Sequence, residues 1–177
     1  MARSSARALS PTSRPTTKTQ TVRINGVRTK ITTRNGKVTT KPALPLEWEL
    51  QAAQVRRLRQ LPQYGGEFLL AGDMNAERRG PKARTIAIAT GMTAGEPDLR
   101  IYAKFGRLLL IENKVKGSRP TVAQRDRHAN LARLGHVVEI VTAASEEEAA
   151  EKAVALVLAF LAGNDDRTEI ERAEGNV

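Results

Sequence analysis

Hydrophobic positions along the chain change their spacing in a regular succession, and each change predicts an element. Residues 20–40 form Thr/Val/Ile-rich segments around two Asn-Gly dipeptides, Asn25-Gly26 and Asn35-Gly36. Asn-Gly suits a two-residue hairpin turn, whose central residues both need positive φ. The pattern predicts a small three-stranded meander, positively charged on at least one face. So small a sheet is marginal alone and is expected to dock on the core, on a partner subunit or on nucleic acid. Before it, residues 1–19 are rich in Ser, Thr, Pro and Arg with almost no apolar content, which predicts a disordered basic tail. Residues 41–45 read as a linker.

From Leu46 onward the pattern alternates between helical and extended. Residues 46–61 read as a helix and residues 67–71 as a short strand. The basic loop GDMNAERRGPKAR leads into a short helix, with Pro81 near its first position and Gly91 at its end. A β-hairpin covers residues 98–114. Residues 121–134 read as a helix opened by a Thr121-x-x-Gln124 capping box and closed by Gly135. Residues 137–141 are rich in β-branched side chains and read as a strand. The last helix opens at Ser145-x-x-Glu148 and runs to Gly163 with an Ala/Val/Leu face, and residues 164–177 read as a frayed acidic tail. The order helix, strand, strand, strand, helix, strand (αβββαβ), with one extra helix before the hairpin, predicts an α/β fold. A mixed sheet is flanked by helices and preceded by the basic arm with its small β-meander.

The hairpin carries the chemistry. Lys104-Phe105-Gly106 lies between two apolar runs, and a three-residue loop with Gly in the left-handed position pairs Ala103 with Arg107. Paired numbers then sum to about 210, so Asp98 falls opposite Glu112. Glu112 and Lys114 are two apart and share a face, while Asn113 points the other way. Directly opposed carboxylates repel each other, and a bridging divalent cation would remove that repulsion. Two carboxylates with an amine beside them make a site for a metal and an activated water. The continuously apolar run Leu108–Ile111 suits a strand buried on both faces. Ionised groups at its end need partners or cost several kcal/mol.

Composition narrows the partners. The chain has 177 residues, 29 Lys and Arg against 19 Asp and Glu, and no cysteine, which excludes disulfides and Cys-based zinc sites. Residues 1–46 hold 10 basic residues and no acid, so they account for the whole net charge of +10. Residues 78–133 carry 13 basic residues against four acids, and residues 139–177 carry three against ten. A positive arm and a positive middle third form an electrostatic footprint for phosphates. His128 and His136 read as ordinary polar residues. No apolar run is long enough for a membrane span and no secretory segment follows Met1, so a cytoplasmic protein is expected. There is no GxxxxGK for a P-loop and no HExxH for a zincin. Sparse aromatics argue against a single-strand stacking platform.

Over residues 46–157 the chain resembles the VRR-NUC (virus-type replication-repair nuclease) family of the PD-(D/E)xK nuclease superfamily. The resemblance rests on Pro97-Asp98, Glu112-x-Lys114 after a hairpin, a helix bearing Gln124, Leu131-x-x-x-Gly135 with a hydrophobic strand, and the approach MNAERRGPKARTIAIATGMTAGEPDL. One departure is Asn113, where the family usually has an aliphatic residue. The resemblance implies a restriction-endonuclease-like fold over residues 46–163 and a metal-dependent DNA endonuclease. It implies that Asp98 and Glu112 bind Mg²⁺ or Mn²⁺, assisted by the Asn113 carbonyl, and that Lys114 orients the attacking water. A first-helix acid completes such a site, and Glu47 fits the spacing better than Glu49. Gln124 would be a further site residue, although capping explains it equally well. Arg78, Arg79, Lys82, Lys116 and Arg119 are candidate phosphate contacts. Relatives of this size act on branched DNA, particularly four-way (Holliday) junctions, as homodimers. A non-catalytic basic nucleic-acid-binding protein on a degenerate nuclease scaffold is the rival expectation.

Overall fold

The computed structural model describes residues 17–73 and 80–163, so the expected tails at residues 1–16 and 164–177 and the candidate contacts Arg78 and Arg79 lie outside the described residues. The chain divides into two compact units, Met1–Ala43 and Leu44–Val177.

In the first unit β1 (Thr17–Ile24), β2 (Val27–Arg34) and β3 (Lys37–Pro42) form an antiparallel meander in sequence order. Asn25 and Gly26 take φ 50° and 79°, and Asn35 and Gly36 take 50° and 76°, the doubly left-handed turn that Asn-Gly favours. The sheet is longer than the sequence pattern suggests. Thr17 pairs with Arg34 and Pro42 with Thr29, because an eight-residue β2 offers ladder partners along its whole length. Residues 17–19 therefore belong to a strand and not to a disordered tail, and Lys41 and Pro42 belong to β3 and not to a linker.

The second unit is a mixed α/β assembly with four helices and one four-stranded sheet among the described residues. Its elements are α1 (Glu47–Leu58), β4 (Phe68–Gly72), α2 (Pro81–Ala89), β5 (Leu99–Ala103), β6 (Leu108–Val115), α3 (Val122–Arg133), β7 (Val138–Ala143) and α4 (Glu146–Ala162). The sheet order is β4-β5-β6-β7, antiparallel except for the parallel β6–β7 pair. The α3 crossover supplies the long connection that a parallel pair requires. No helix among the described residues is long and apolar enough to cross a membrane.

Local chemistry sets the boundaries. The first helix stops at Leu58, and Arg59–Leu61 continue as a tighter turn, because Pro62 disfavours the helical conformation in the residue before it. Strand β7 runs to Ala143, two residues past the expected end, because Val115 still offers it a partner. Leu58, Phe68, Leu99, Ile101, Leu109, Ile111, Val141, Ala153 and Val157 form the main core between one sheet face and helices α1 and α4. Strand β6 is central, and Leu109–Lys114 are buried without interruption. Alternate residues on it therefore face different environments: Leu109, Ile111 and Asn113 look toward the α1/α4 layer, while Leu110, Glu112 and Lys114 belong to the opposite face.

Candidate active site

The hairpin register decides which groups meet. Leu99 pairs with Ile111, Arg100 with Leu110, Ile101 with Leu109 and Tyr102 with Leu108, every pair summing to 210. The turn itself differs from the expected type. Phe105 (φ 61°) joins Gly106 (φ 68°) in the left-handed region, and Phe105 is 74% exposed, so its ring gains no burial there. The loop length, and with it the register, is unaffected. Continuing the ladder by one residue sets Asp98 against Glu112, and Asp98 Oδ2 accepts the Asn113 N–H at 2.7 Å.

Lys114 is buried, and its ammonium gathers the site's oxygens. Nζ donates to Glu112 Oε1 (2.7 Å), to the Asn113 carbonyl (2.8 Å) and to Glu47 Oε1 (2.9 Å). Burial alone would lower the Lys114 pKa, but the hydrogen bonds to Glu112 and Glu47 outweigh it and hold the amine protonated above its ordinary value. The Glu112 carboxyl is pushed up, chiefly by burial, against the opposing pull of Lys114. Burial and then the charge of Glu112 raise Asp98 to about 6, although the Asn113 N–H and Lys114 favour its ionised form.

The two first-turn glutamates have different work. Glu49 is buried and its Oε2 accepts the Leu46 N–H at 2.8 Å, closing the start of α1. Glu47 reaches Lys114 instead. Gln124 makes both a capping contact and a contact with Glu112. Its Oε1 accepts the Thr121 N–H (2.9 Å), while its Nε2 donates to Glu112 Oε1 (2.5 Å). An amide has a donor end and an acceptor end, so helix capping and site contact do not compete.

The sequence reads His128 as an ordinary polar residue and does not place it beside Glu112. His128 lies one turn beyond Gln124 on α3, its side chain is 14% exposed, and Nε2 stands 3.5 Å from Glu112 Oε2. Burial, and then Lys114, lower its pKa. The signal for it was the i, i+4 spacing from Gln124, which puts both side chains on one helix face. His136 is exposed, away from any such face. Gln51 was also missed as a site residue. Its Nε2 donates to the Asp98 carbonyl (2.9 Å) and reaches the Asp73 carbonyl (3.4 Å), tying α1 to the ends of β4 and β5. It stands four residues after Glu47, on the same helix face.

The candidate phosphate contacts are spread out. Lys82 is exposed on α2, a helix with no buried residue. Lys116 and Arg119 are exposed on the connection from β6 to α3, the segment between Lys114 and Gln124. On the far side of β6, Asn113 is fully buried and its Oδ1 accepts from Gln54 Nε2 at 2.6 Å. Its side chain is turned away from the carboxylates, and α1 supplies the polar partner that an aliphatic residue would not need.

A cation is a reasonable occupant by donor chemistry. Asp98, Glu112, the Asn113 carbonyl and Glu47 offer only oxygens, the preference of Mg²⁺ and Mn²⁺. Glu112 Oε2 is buried with no hydrogen-bond partner. Among the described residues, however, no three His, Asp or Glu side chains are grouped to hold a metal ion. The Lys114 ammonium instead takes Glu112 Oε1, Glu47 Oε1 and the Asn113 carbonyl as its partners.

No protein-family model matches the chain, and no curated protein does. A solved structure described as a VRR_NUC domain protein is similar to it, with 22% identity, 62% of this chain and 86% of the other covered, and a TM-score of 0.42. At that level the functional reading rests on the side chains of this chain alone.

Proposed function

We propose that this chain is a metal-dependent endodeoxyribonuclease that hydrolyses phosphodiester bonds in branched DNA. The observation that carries the reading is the approach of Asp98 to the Glu112-Asn113 end of β6, where its Oδ2 accepts the Asn113 N–H, with the Lys114 amine hydrogen-bonded to Glu112. Asp98, Glu112 and the Asn113 carbonyl would hold Mg²⁺ or Mn²⁺, which would supply charge neutralisation at the phosphate and a more acidic bound water.

The chain's own groups divide the remaining work. Lys114 carries a proton at neutral pH, and its three donors go to Glu112, Glu47 and the Asn113 carbonyl; those released if the oxygens bind a cation would orient a water and stabilise charge growing on a phosphate oxygen. Gln124 fixes the Glu112 carboxylate through Oε1, leaving Oε2 free to bind. Gln51 and the Asn113 N–H fix the Asp98 backbone and carboxylate. Positioning of this kind supplies much of a hydrolase's rate, because a shift of about 1 Å can cost roughly 100-fold. Preference for four-way junctions and action as a homodimer belong to the same reading and rest on the sequence resemblance.

A second reading has its own observation. Lys114 neutralises Glu112 and Glu47 internally, as in a scaffold that binds nucleic acid without cutting it. One experiment separates the two. Purified protein and the variants Asp98→Ala, Glu112→Ala and Lys114→Ala are incubated with Mg²⁺ or Mn²⁺ and labelled four-way junction, flap, single-stranded and duplex DNA. Metal-dependent paired nicks on the junction, absent from all three variants while DNA binding persists, are the expected result. Binding without cleavage by the unsubstituted protein would establish the scaffold reading.

A further inference from the structure

Strand register sorts the meander into two chemically distinct faces. Because Arg23 pairs with Arg28, Thr21 with Lys30, Lys30 with Lys41, Thr32 with both Thr19 and Thr39, and Arg34 with both Thr17 and Lys37, all these residues share one face. That face consists of threonine, lysine and arginine only. It holds six of the unit's seven described cations, and residues 17–43 contain no acid. The opposite face carries Val22, Ile24, Val27, Ile31 and Val38, with Lys18 its only charge.

The arrangement works against the sheet's own stability. Arg23 and Arg28, Lys30 and Lys41, and Arg34 and Lys37 are like charges directly opposed on adjacent strands. Single cations could be scattered for solubility without being stacked in this way. Rungs on one face lie about 6.8 Å apart, with strands about 4.8 Å apart. The long cations of the Lys30/Lys41 and Arg34/Lys37 rungs therefore flank a middle rung of short hydroxyls from Thr19, Thr32 and Thr39.

We infer that this face is a binding surface for the sugar-phosphate backbone of duplex DNA, separate from the carboxylate site. Cationic rungs match phosphate charge, and the hydroxyls of Thr19 and Thr32 between them donate to phosphate oxygens, while Thr39 donates to the Thr32 carbonyl; such contacts position a protein without reading sequence. The partner is a duplex and not a single strand, because residues 17–43 contain no aromatic side chain on which bases could stack. The inference does not depend on cleavage, since it concerns binding alone.

The test measures binding of the full chain to a fluorescent 20-bp duplex in EDTA between 50 and 300 mM KCl. One variant combines Lys30→Gln, Arg34→Gln, Lys37→Gln and Lys41→Gln. A control removes the same charge elsewhere, with Lys18→Gln, Arg57→Gln, Arg59→Gln and Lys104→Gln. Each lost phosphate contact lowers the slope of log affinity against log salt by about 0.9. The face variant is expected to flatten the slope by about 3.6 and to weaken binding at least tenfold at about 150 mM, with the control changing the slope by less than about 1. A single Lys41→Glu, which sets opposite charges across one rung, is expected to raise the thermal midpoint while weakening binding. Equal slopes for the two four-fold variants would overturn the inference, as would tighter binding to phosphatidylserine vesicles than to DNA. Loss of the slope in a protein that never cleaves DNA would leave it standing while removing the nuclease reading.

Discussion

Gly95 lies against Ala123 so closely that a Cβ built on it would come within 2.4 Å of the Ala123 carbonyl oxygen and 2.8 Å of the Gln124 Cα. The segment that delivers Asp98 is thus seated on the first turn of the helix that delivers Gln124 and His128. Gly95 also takes φ 80°, where other residues are strained. Gly95→Ala is expected to cost roughly 2–4 kcal/mol, since neither contacting atom belongs to a flexible side chain. Urea unfolding measures this, and a variant as stable as the parent would show that α3 can move away freely.

The same junction is held by charge. Glu96 Oε1 accepts from Arg100 of β5 (2.9 Å) and Oε2 from Arg127 of α3 (2.8 Å), and Arg100 also reaches Asp73 at 3.3 Å. These two arginine hydrogen bonds outweigh burial and hold the Glu96 pKa below its ordinary value. A double-mutant cycle with Glu96→Gln and Arg127→Gln is expected to show coupling of about 1 kcal/mol. If the nuclease reading holds, Glu96→Gln should lower kcat with little change in KM, because the pair orients α3 and does not touch substrate. A change confined to KM would assign Glu96 to DNA binding instead.

Asp98 makes the metal-free protein sensitive to pH. Its folded pKa of about 6 lies above its ordinary value of 3.8, so its protonated form is favoured by folding. The resulting stability is fully present below about pH 4 and is lost as pH rises through about 6. By this group alone the loss is about 3 kcal/mol at 1.36 kcal/mol per pKa unit. Asp98→Asn is expected to flatten that decline and to be more stable than the parent at pH 8 in EDTA, while losing any cleavage. Parallel stability curves from pH 4 to 8 would show that Asp98 is not strained by its surroundings.

The elements and the hairpin register were legible because they depend on local chemistry: Asn-Gly turns, the Gly106 loop and a capping box at Thr121. Asp98, Glu112 and Lys114 followed from the register by counting. What the pattern could not show were contacts made across the fold. Glu47 and Glu49 are indistinguishable by helix spacing until Lys114 and the Leu46 N–H claim one each. His128 reads as an ordinary helix residue until α3 is laid over β6, and Gln51 until β4 ends beside it. The meander's faces were written in its alternation, yet only the pairing of all three strands puts Lys30 beside Lys41 and Arg34 beside Lys37.

Asn113 shows the cost of a polar residue in a layer otherwise built for apolar ones. Gln54 and Asn113 are both fully buried, and Gln54 Oε1 and Asn113 Nδ2 have no hydrogen-bond partner. Gln54 Nε2 makes the 2.6 Å bond to Asn113 and a weaker one to the Ala149 carbonyl at 3.4 Å. Removing one partner alone strands the other, so Gln54→Leu is expected to cost about 1–3 kcal/mol. Replacing both with apolar groups removes the unsatisfied atoms as well. The double variant Gln54→Leu/Asn113→Val is therefore expected to recover the parent's stability or exceed it. The backbone N–H and carbonyl of residue 113, which serve Asp98 and Lys114, are unchanged by the substitution, so any cleavage should persist. A double variant less stable than Gln54→Leu alone would show that shape, and not hydrogen bonding, dictates the amide pair.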